Sequence, residues 1–223
     1  MKHLQVIVII EVQLVLILLF FCVFRLSDIA EKVKRTNMFL HEDLKNARFE
    51  DIQKVRDLDI VIGNENAPVT IFMYTKLSCE YCSDFFETTY PELRSTFIET
   101  GHARFIIRFL PNGKDREAID PIHYFYCMND LDLFEEFNKK RITERQNNLD
   151  IDYINEFIVA NGADTTGLAV CLSSENLDKF IGQMAEQAQQ ADIHGSPFFI
   201  INGQALRGSR KFSKFKAMIE SIE

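Results

Sequence analysis

Residues 69–74, VTIFMY, are almost continuously apolar and end five positions before a pair of cysteines, Cys79 and Cys82. A strand that is apolar on both faces has to be covered on both, which calls for a sheet with helices on either side. Directly after the first cysteine the spacing changes. Cys82, Phe86, Leu93 and Phe97 mark one face of a helix, with Pro91 expected to kink it. A buried strand, two thiols and a helix therefore meet within about twenty residues, and the rest of the chain must fold around that junction.

The neighbouring patterns supply the sheet. Asp59–Ile62 reads as a short strand, with Gly63, Asn64 and Pro68 marking a turn after it. Ala103–Phe109 is a third strand carrying Phe105, Ile106 and Ile107. Between Pro111 and Gly195 the spacing is helical, interrupted at Asn147–Asn148, Gly162 and Ser173–Ser174. Phe198–Ile201, the turn Asn202–Gly203 and Gln204–Arg207 predict a hairpin, and a last amphipathic helix carries Phe212, Phe215, Ile219 and Ile222. The order predicts an α/β fold: a mixed central sheet flanked by helices, with an inserted all-helical subdomain at about 112–194. With 47% hydrophobic and 26% charged residues in 223, the chain can bury a full core. Its net charge of -8 disfavours a nucleic-acid partner. The lysines between Arg207 and Lys216 read as the solvated face of the last helix.

Residues 4–24, LQVIVIIEVQLVLILLFFCVF, stand apart. At about 1.5 Å per residue such a run spans about 30 Å, the thickness of a bilayer's hydrocarbon core. It ends in Phe20, Phe21, Cys22, Val23 and Phe24 rather than the small residues of a cleavage site, so an uncleaved anchor over 1–25 is expected. Leu19–Cys22 approximates a lipoprotein box, but Phe21 stands where a small residue belongs, and Cys22 reads as a membrane thiol. Glu11 is either off-centre in the span or faces a membrane partner. Leu26, Ile29, Val33, Leu40 and Leu44 then outline a helical stalk within 26–56, leaving 57–223 as the main domain. Arg25, Lys32, Lys34 and Arg35 follow the span whereas only Lys2 and the amino terminus precede it, which favours a cytoplasmic domain. Cysteine usage favours the opposite side.

Cys79 and Cys82 could hold a metal, be buried as structural thiols, or be oxidised against one another. Zinc sites use four ligands, whereas the other cysteines of the main domain, Cys127 and Cys171, fall in the helical block and the histidines at 41, 102, 123 and 194 are scattered. The redox reading fits the position best. At a helix N-terminus the sulfur of Cys79 faces free backbone N–H groups and the positive end of the dipole, both of which favour thiolate. Cys82, one turn further in, would release a mixed disulfide. Gly195–Ser196–Pro197 directly precedes the Phe198 strand, where a proline fits as the first residue. A cis Ser196–Pro197 bond would make a loop facing the cysteines, and a trans proline at the start of the strand is the alternative.

VTIFMYTKLSCEYCSDFFETTYPEL, GHARFIIRFLP, Cys127, Cys171–Leu172 and HGSPFFIINGQALRG together resemble the DsbA-like branch of the thioredoxin superfamily over roughly residues 57–222. The resemblance implies a thioredoxin fold, preceded here by a transmembrane helix, and dithiol–disulfide exchange with protein substrates without metal or organic cofactor. It implies Cys79 as nucleophile, Cys82 as resolving thiol, Pro197 as a cis-proline and Ser196 as a backbone partner for substrate peptide. It also implies a second disulfide between Cys127 and Cys171, worth about 4 kcal/mol in the chain-entropy model and formed in an oxidising compartment.

Three positions depart from that pattern. Met73 stands six residues ahead of Cys79, where many relatives place a buried carboxylate. Glu80 and Tyr81 separate the cysteines without supplying positive charge, so a potential below the roughly -120 mV of DsbA is expected. His194, two residues before Ser196, either lies near the sulfurs and compensates, or has a capping or surface role. The expectation is a single-pass oxidoreductase of a bacterial inner membrane, its domain in the periplasm or outside the cell, oxidising unfolded secreted proteins and recharged by a membrane redox partner. The alternatives are an isomerase or reductase, and a tethered binding or assembly factor that does not turn over.

Overall fold

A computed structural model describes residues 21–37, 49–111, 116–146 and 149–222. The strands Ile60–Ile62 (β1), Val69–Thr75 (β2), Ala103–Phe109 (β3), Phe198–Ile201 (β4) and Gln204–Arg207 (β5) form one sheet in the order β1, β3, β2, β4, β5. β2 pairs parallel with β3 and antiparallel with β4, and the two edge strands are antiparallel to their neighbours. The apolar run of β2 thus occupies the middle of the sheet, where neither face nor edge meets water.

Side chains alternate across a strand, so β2 divides between two cores. Val69, Ile71 and Met73 join Phe85, Phe105, Phe199 and Phe215 on one face. Phe72 and Tyr74 join Phe49, Ile52, Ile106, Ala191 and Ile200 on the other. Phe85 is the hub of the first core, its ring centroid 4.7 Å from that of Phe199 and 5.5 Å from that of Phe215.

The helix after the cysteines, residues 80–98 (α1), continues past Pro91 instead of breaking there. It alternates α-helical Glu80–Asp84 and Tyr90–Leu93 with π-helical turns at Phe85–Thr89 and Arg94–Ile98. Pro91 has no N–H to donate, and Tyr90 N–H donates back to Phe85 carbonyl instead, so the wider turn absorbs what a kink would otherwise express.

Among the described residues, five helices separate β3 from β4: Arg116–Asp130 (α2), Phe134–Thr143 (α3), Ile151–Ala160 (α4), Thr165–Leu172 (α5) and Glu175–Gln190 (α6). Their aromatic residues extend the first core, with Phe109, Phe125, Phe137 and Phe157 in a chain of centroid contacts of 4.8, 5.4 and 5.0 Å. The helix Phe212–Glu220 (α7) closes the first face through Phe215 and Ile219. The hairpin turn is as expected: Asn202 and Gly203 both have positive φ, and the Asn202 side chain accepts from Thr70 N–H at 2.8 Å, tying the turn to β2.

The chain divides into one unit within residues 1–48 and a second spanning Phe49–Glu223. The main domain therefore begins earlier than residue 57. Phe49 and Ile52, inside the 26–56 bounds expected for the stalk, are buried in the second core: the ring centroid of Phe49 lies 6.1 Å from that of Phe198, and the backbone of Ile52 is held by Arg108. This arginine sits fully buried in β3 with all five of its N–H donors used. Nε and Nη2 donate to Asp59 Oδ1 and Oδ2 at 2.7 and 2.6 Å, and Nη2 also reaches Lys54 carbonyl at 2.8 Å. Nη1 donates to Tyr74 hydroxyl at 2.8 Å and to Ile52 carbonyl. Burial works against its charge, but the bidentate carboxylate outweighs it and holds the pKa above the ordinary arginine value.

In the first unit, residues 21–37 are helical, with Cys22, Leu26, Ile29 and Val33 exposed. The expected span 4–24 and the stalk positions Leu40 and Leu44 lie largely or wholly outside the described residues. Among the described residues no helix is long and apolar enough to cross a membrane.

Candidate active site

β2 ends at Thr75 and the chain turns at once: Cys79 N–H donates to Lys76 carbonyl at 3.2 Å. Cys79 is the N-cap of α1, in extended conformation, and its Sγ accepts from Cys82 N–H at 3.1 Å. An ordinary N-cap uses a hydroxyl or carboxylate oxygen for this; here a sulfur takes the place, so the amide at the helix end is aimed at the thiol group. Cys79 and Cys82 are disulfide-bonded, with Cα atoms 5.2 Å apart. Cys82 is 1% exposed, whereas Cys79 is half-buried. Of the two cysteines, the one at the cap is the one that is partly exposed.

The register of β4 against β2 pairs Phe198 with Tyr74, which sets Pro197 at the end of the sheet from which the chain runs into the cysteines. The Ser196–Pro197 bond is cis, Pro197 is buried, and Ser196 is half-buried. Pro197 carbonyl accepts from Gly208 N–H at 2.8 Å, which extends the β4–β5 ladder by one bond. Tyr81 is 69% exposed beside the cap, and Glu80 is exposed with it. Met73 packs in the first core, so the strand leading to the cysteines presents a thioether on that face.

His194 has Asp192 as its partner, Nε2 to Oδ1 at 2.8 Å, and Asp192 Oδ2 also lies 3.6 Å from Arg207. The contact that His194 makes is thus to the carboxylate of Asp192, and both side chains are exposed. Cys127 in α2 and Cys171 in α5 are disulfide-bonded across 44 positions, Cys127 buried and Cys171 half-buried.

Sequence reasoning missed two features that brace this region. One is the Asp59–Arg108–Tyr74 group beneath the sheet. Its signal was an arginine inside the otherwise apolar FIIRF of β3. The other is a pair of side chains on α1 that reach the loop after β5: Ser209 hydroxyl donates to Asp84 Oδ2 at 2.9 Å, and Thr89 hydroxyl donates to Arg210 carbonyl at 2.9 Å. Nothing in the spacing announced them.

The family model described as Thioredoxin matches residues 56–221, the whole of the sheet and its helices. The chain belongs to the thioredoxin family. Within that family, a Rickettsia felis protein carrying a provisional protein-disulfide oxidoreductase name is 23% identical over 171 residues, covering 73% of this chain and 60% of the relative. Disulfide bond formation protein D of Bacillus subtilis is 24% identical over 167 residues, covering 72% of this chain and 75% of the relative. The crystal structure of alpha-DsbA1 from Wolbachia pipientis superposes with a TM-score of 0.65 at 18% identity, over 77% of this chain and 94% of that one. At that identity the superposition speaks for the shared thioredoxin fold with its helical insertion. This thioredoxin-family chain spans about 60% of the length of the Rickettsia relative.

Proposed function

We propose that this protein is a membrane-anchored thiol–disulfide oxidoreductase that oxidises cysteine pairs in polypeptides outside the cytoplasm. The observation that carries the reading is the pairing of a half-buried cap cysteine and a fully buried second cysteine in one disulfide, at the same end of the sheet as the cis Ser196–Pro197 bond. The names of the relatives and the second disulfide, Cys127–Cys171, support it.

In the forward direction a substrate thiolate attacks Cys79 Sγ, the Cys79–Cys82 bond breaks, and Cys82 leaves as a thiolate. The substrate is then held through a mixed disulfide to Cys79. Its second thiolate attacks its own sulfur of that bond, the substrate disulfide closes, and Cys79 leaves as a thiolate. Two electrons pass from substrate to the cysteine pair, and a membrane redox partner must take them away. The amide of Cys82 stabilises the departing Cys79 thiolate, as does the N-terminus of α1. Ser196 and Pro197 would hold the substrate backbone in extended form beside the sulfur.

The test is oxidation of a reduced two-cysteine peptide by the full-length chain, followed by alkylation and mass measurement, with C79S and C82S beside it. Given the same peptide in its disulfide form, C82S should capture it as a mixed disulfide, Cys79 thiolate displacing one peptide thiolate, and C79S should neither capture that form nor oxidise the reduced one. Full in vivo complementation by C79S would overturn the exchange reading in favour of a binding role. Protease accessibility of the domain from either side of the membrane tests its placement.

A further inference from the structure

Asp84 and Thr89 are five positions apart on α1. In an α-helix, five residues turn about 500°, which leaves the two side chains about 140° apart around the axis and unable to serve one neighbour. Here the π-helical turn Phe85–Thr89 follows Asp84 and includes Thr89, and its i→i+5 bond, Tyr90 N–H to Phe85 carbonyl, widens the turn and narrows the angle between the two side chains. The result is that Asp84 and Thr89 meet consecutive residues of one loop. Ser209 hydroxyl donates to Asp84, and Thr89 hydroxyl, on a residue 3% exposed, donates to Arg210 carbonyl. The residue just before them, Gly208, donates its N–H to Pro197 carbonyl, and its φ of 76° turns the chain out of β5 immediately afterwards.

We infer that residues 208–210 form a bracket that fixes the cis-proline loop relative to the helix carrying Cys79 and Cys82, and that Ser209 and Thr89 are positioning residues for polypeptide substrate. The bracket holds Pro197 by a backbone bond on one side and, on the other, the second and third turns of α1 by the Ser209 hydroxyl, which donates to Asp84, and the Arg210 carbonyl, which accepts from Thr89. Neither hydroxyl contacts a sulfur. Their removal therefore leaves the intrinsic chemistry of the disulfide alone and changes the width of the gap in which a peptide must lie between Pro197 and Cys79. A merely structural role would show in thermal stability and nowhere else.

The inference rests on the exchange reading above, and the experiment separates the two. The full-length chain, S209A, S209T and T89V are compared in oxidation of a reduced two-cysteine peptide and in equilibrium with glutathione. S209A and T89V should each raise KM for the peptide about fivefold, the factor that corresponds to one net hydrogen bond. Their glutathione equilibrium constant should stay within about twofold of wild type, and S209T should restore KM. An unchanged KM in both S209A and T89V, whatever happens to Tm, overturns the bracket. So does a glutathione equilibrium that shifts in step with KM, since that places the effect on the sulfurs. A wild-type chain that fails to oxidise the peptide overturns the exchange reading itself and the bracket with it.

Discussion

Substituting Asp59 by asparagine removes one charge from a site where neither member of the pair reaches solvent. Both side chains are 0% exposed, and Arg108 uses all five donors on Asp59, Tyr74, Ile52 and Lys54. Asparagine fills nearly the same volume but presents an N–H₂ to a guanidinium that needs an acceptor. The arginine is then a buried cation without its counter-ion, a change that costs about 3–5 kcal/mol. For a domain of this size about 1 kcal/mol moves Tm by about 2–4 °C, so D59N should melt about 6–20 °C below wild type. Calorimetry on oxidised protein at neutral pH gives the number. The second measurement is a double-mutant cycle with R108M. The double variant should lose less than the two single losses added together, with a coupling of about 1–3 kcal/mol. A D59N loss below about 1 kcal/mol, or strictly additive losses, would refute the argument that the charge pair holds this site.

Arg141, 1% exposed in α3, presents the opposite case: Asn138 accepts from its Nε at 2.9 Å, Phe125 lies under its guanidinium, and among the described residues no carboxylate pairs with it. Burial pushes its pKa down to about 10, so R141M should stabilise the domain by about 1 kcal/mol or more in denaturant unfolding. Removing the second disulfide with C127S/C171S should cost about 4 kcal/mol less any strain, read by the same unfolding, while Cys79 and Cys82 still exchange with glutathione. The potential of the Cys79–Cys82 pair, titrated against glutathione, should lie below the roughly -120 mV of DsbA, and E80P/Y81H should raise it by removing a carboxylate beside the cap sulfur.

The strand segments and the placement of the cysteines were legible because they rest on short-range signals. VTIFMY can only be a two-sided strand, Asn202–Gly203 marks its own turn, and the cysteines fall where the period changes from strand to helix. What escaped reading depended on partners far apart in sequence or on a departure from regular geometry. Arg108 stood out in an apolar strand, but its carboxylate is 49 residues away and its carbonyl partners lie inside the bounds expected for the stalk. The helical face drawn through Cys82 and Phe86 passed over Phe85, which is the hub of the first core. A π-helical turn begins at Phe85 and shifts which side chains point inward, and no spacing rule for 3.6 residues per turn anticipates it.

The arginine beneath the sheet also decides how this domain would respond to traction. A load applied to the chain ahead of Phe49 arrives at the carbonyls of Ile52 and Lys54, and from there passes through a guanidinium into β3, next to the strand that leads to the reactive sulfurs. Because that tie ends on an interior strand and not on an edge strand, a pull at Ile52 and Lys54 is shared at once with the strands hydrogen-bonded on either side of β3.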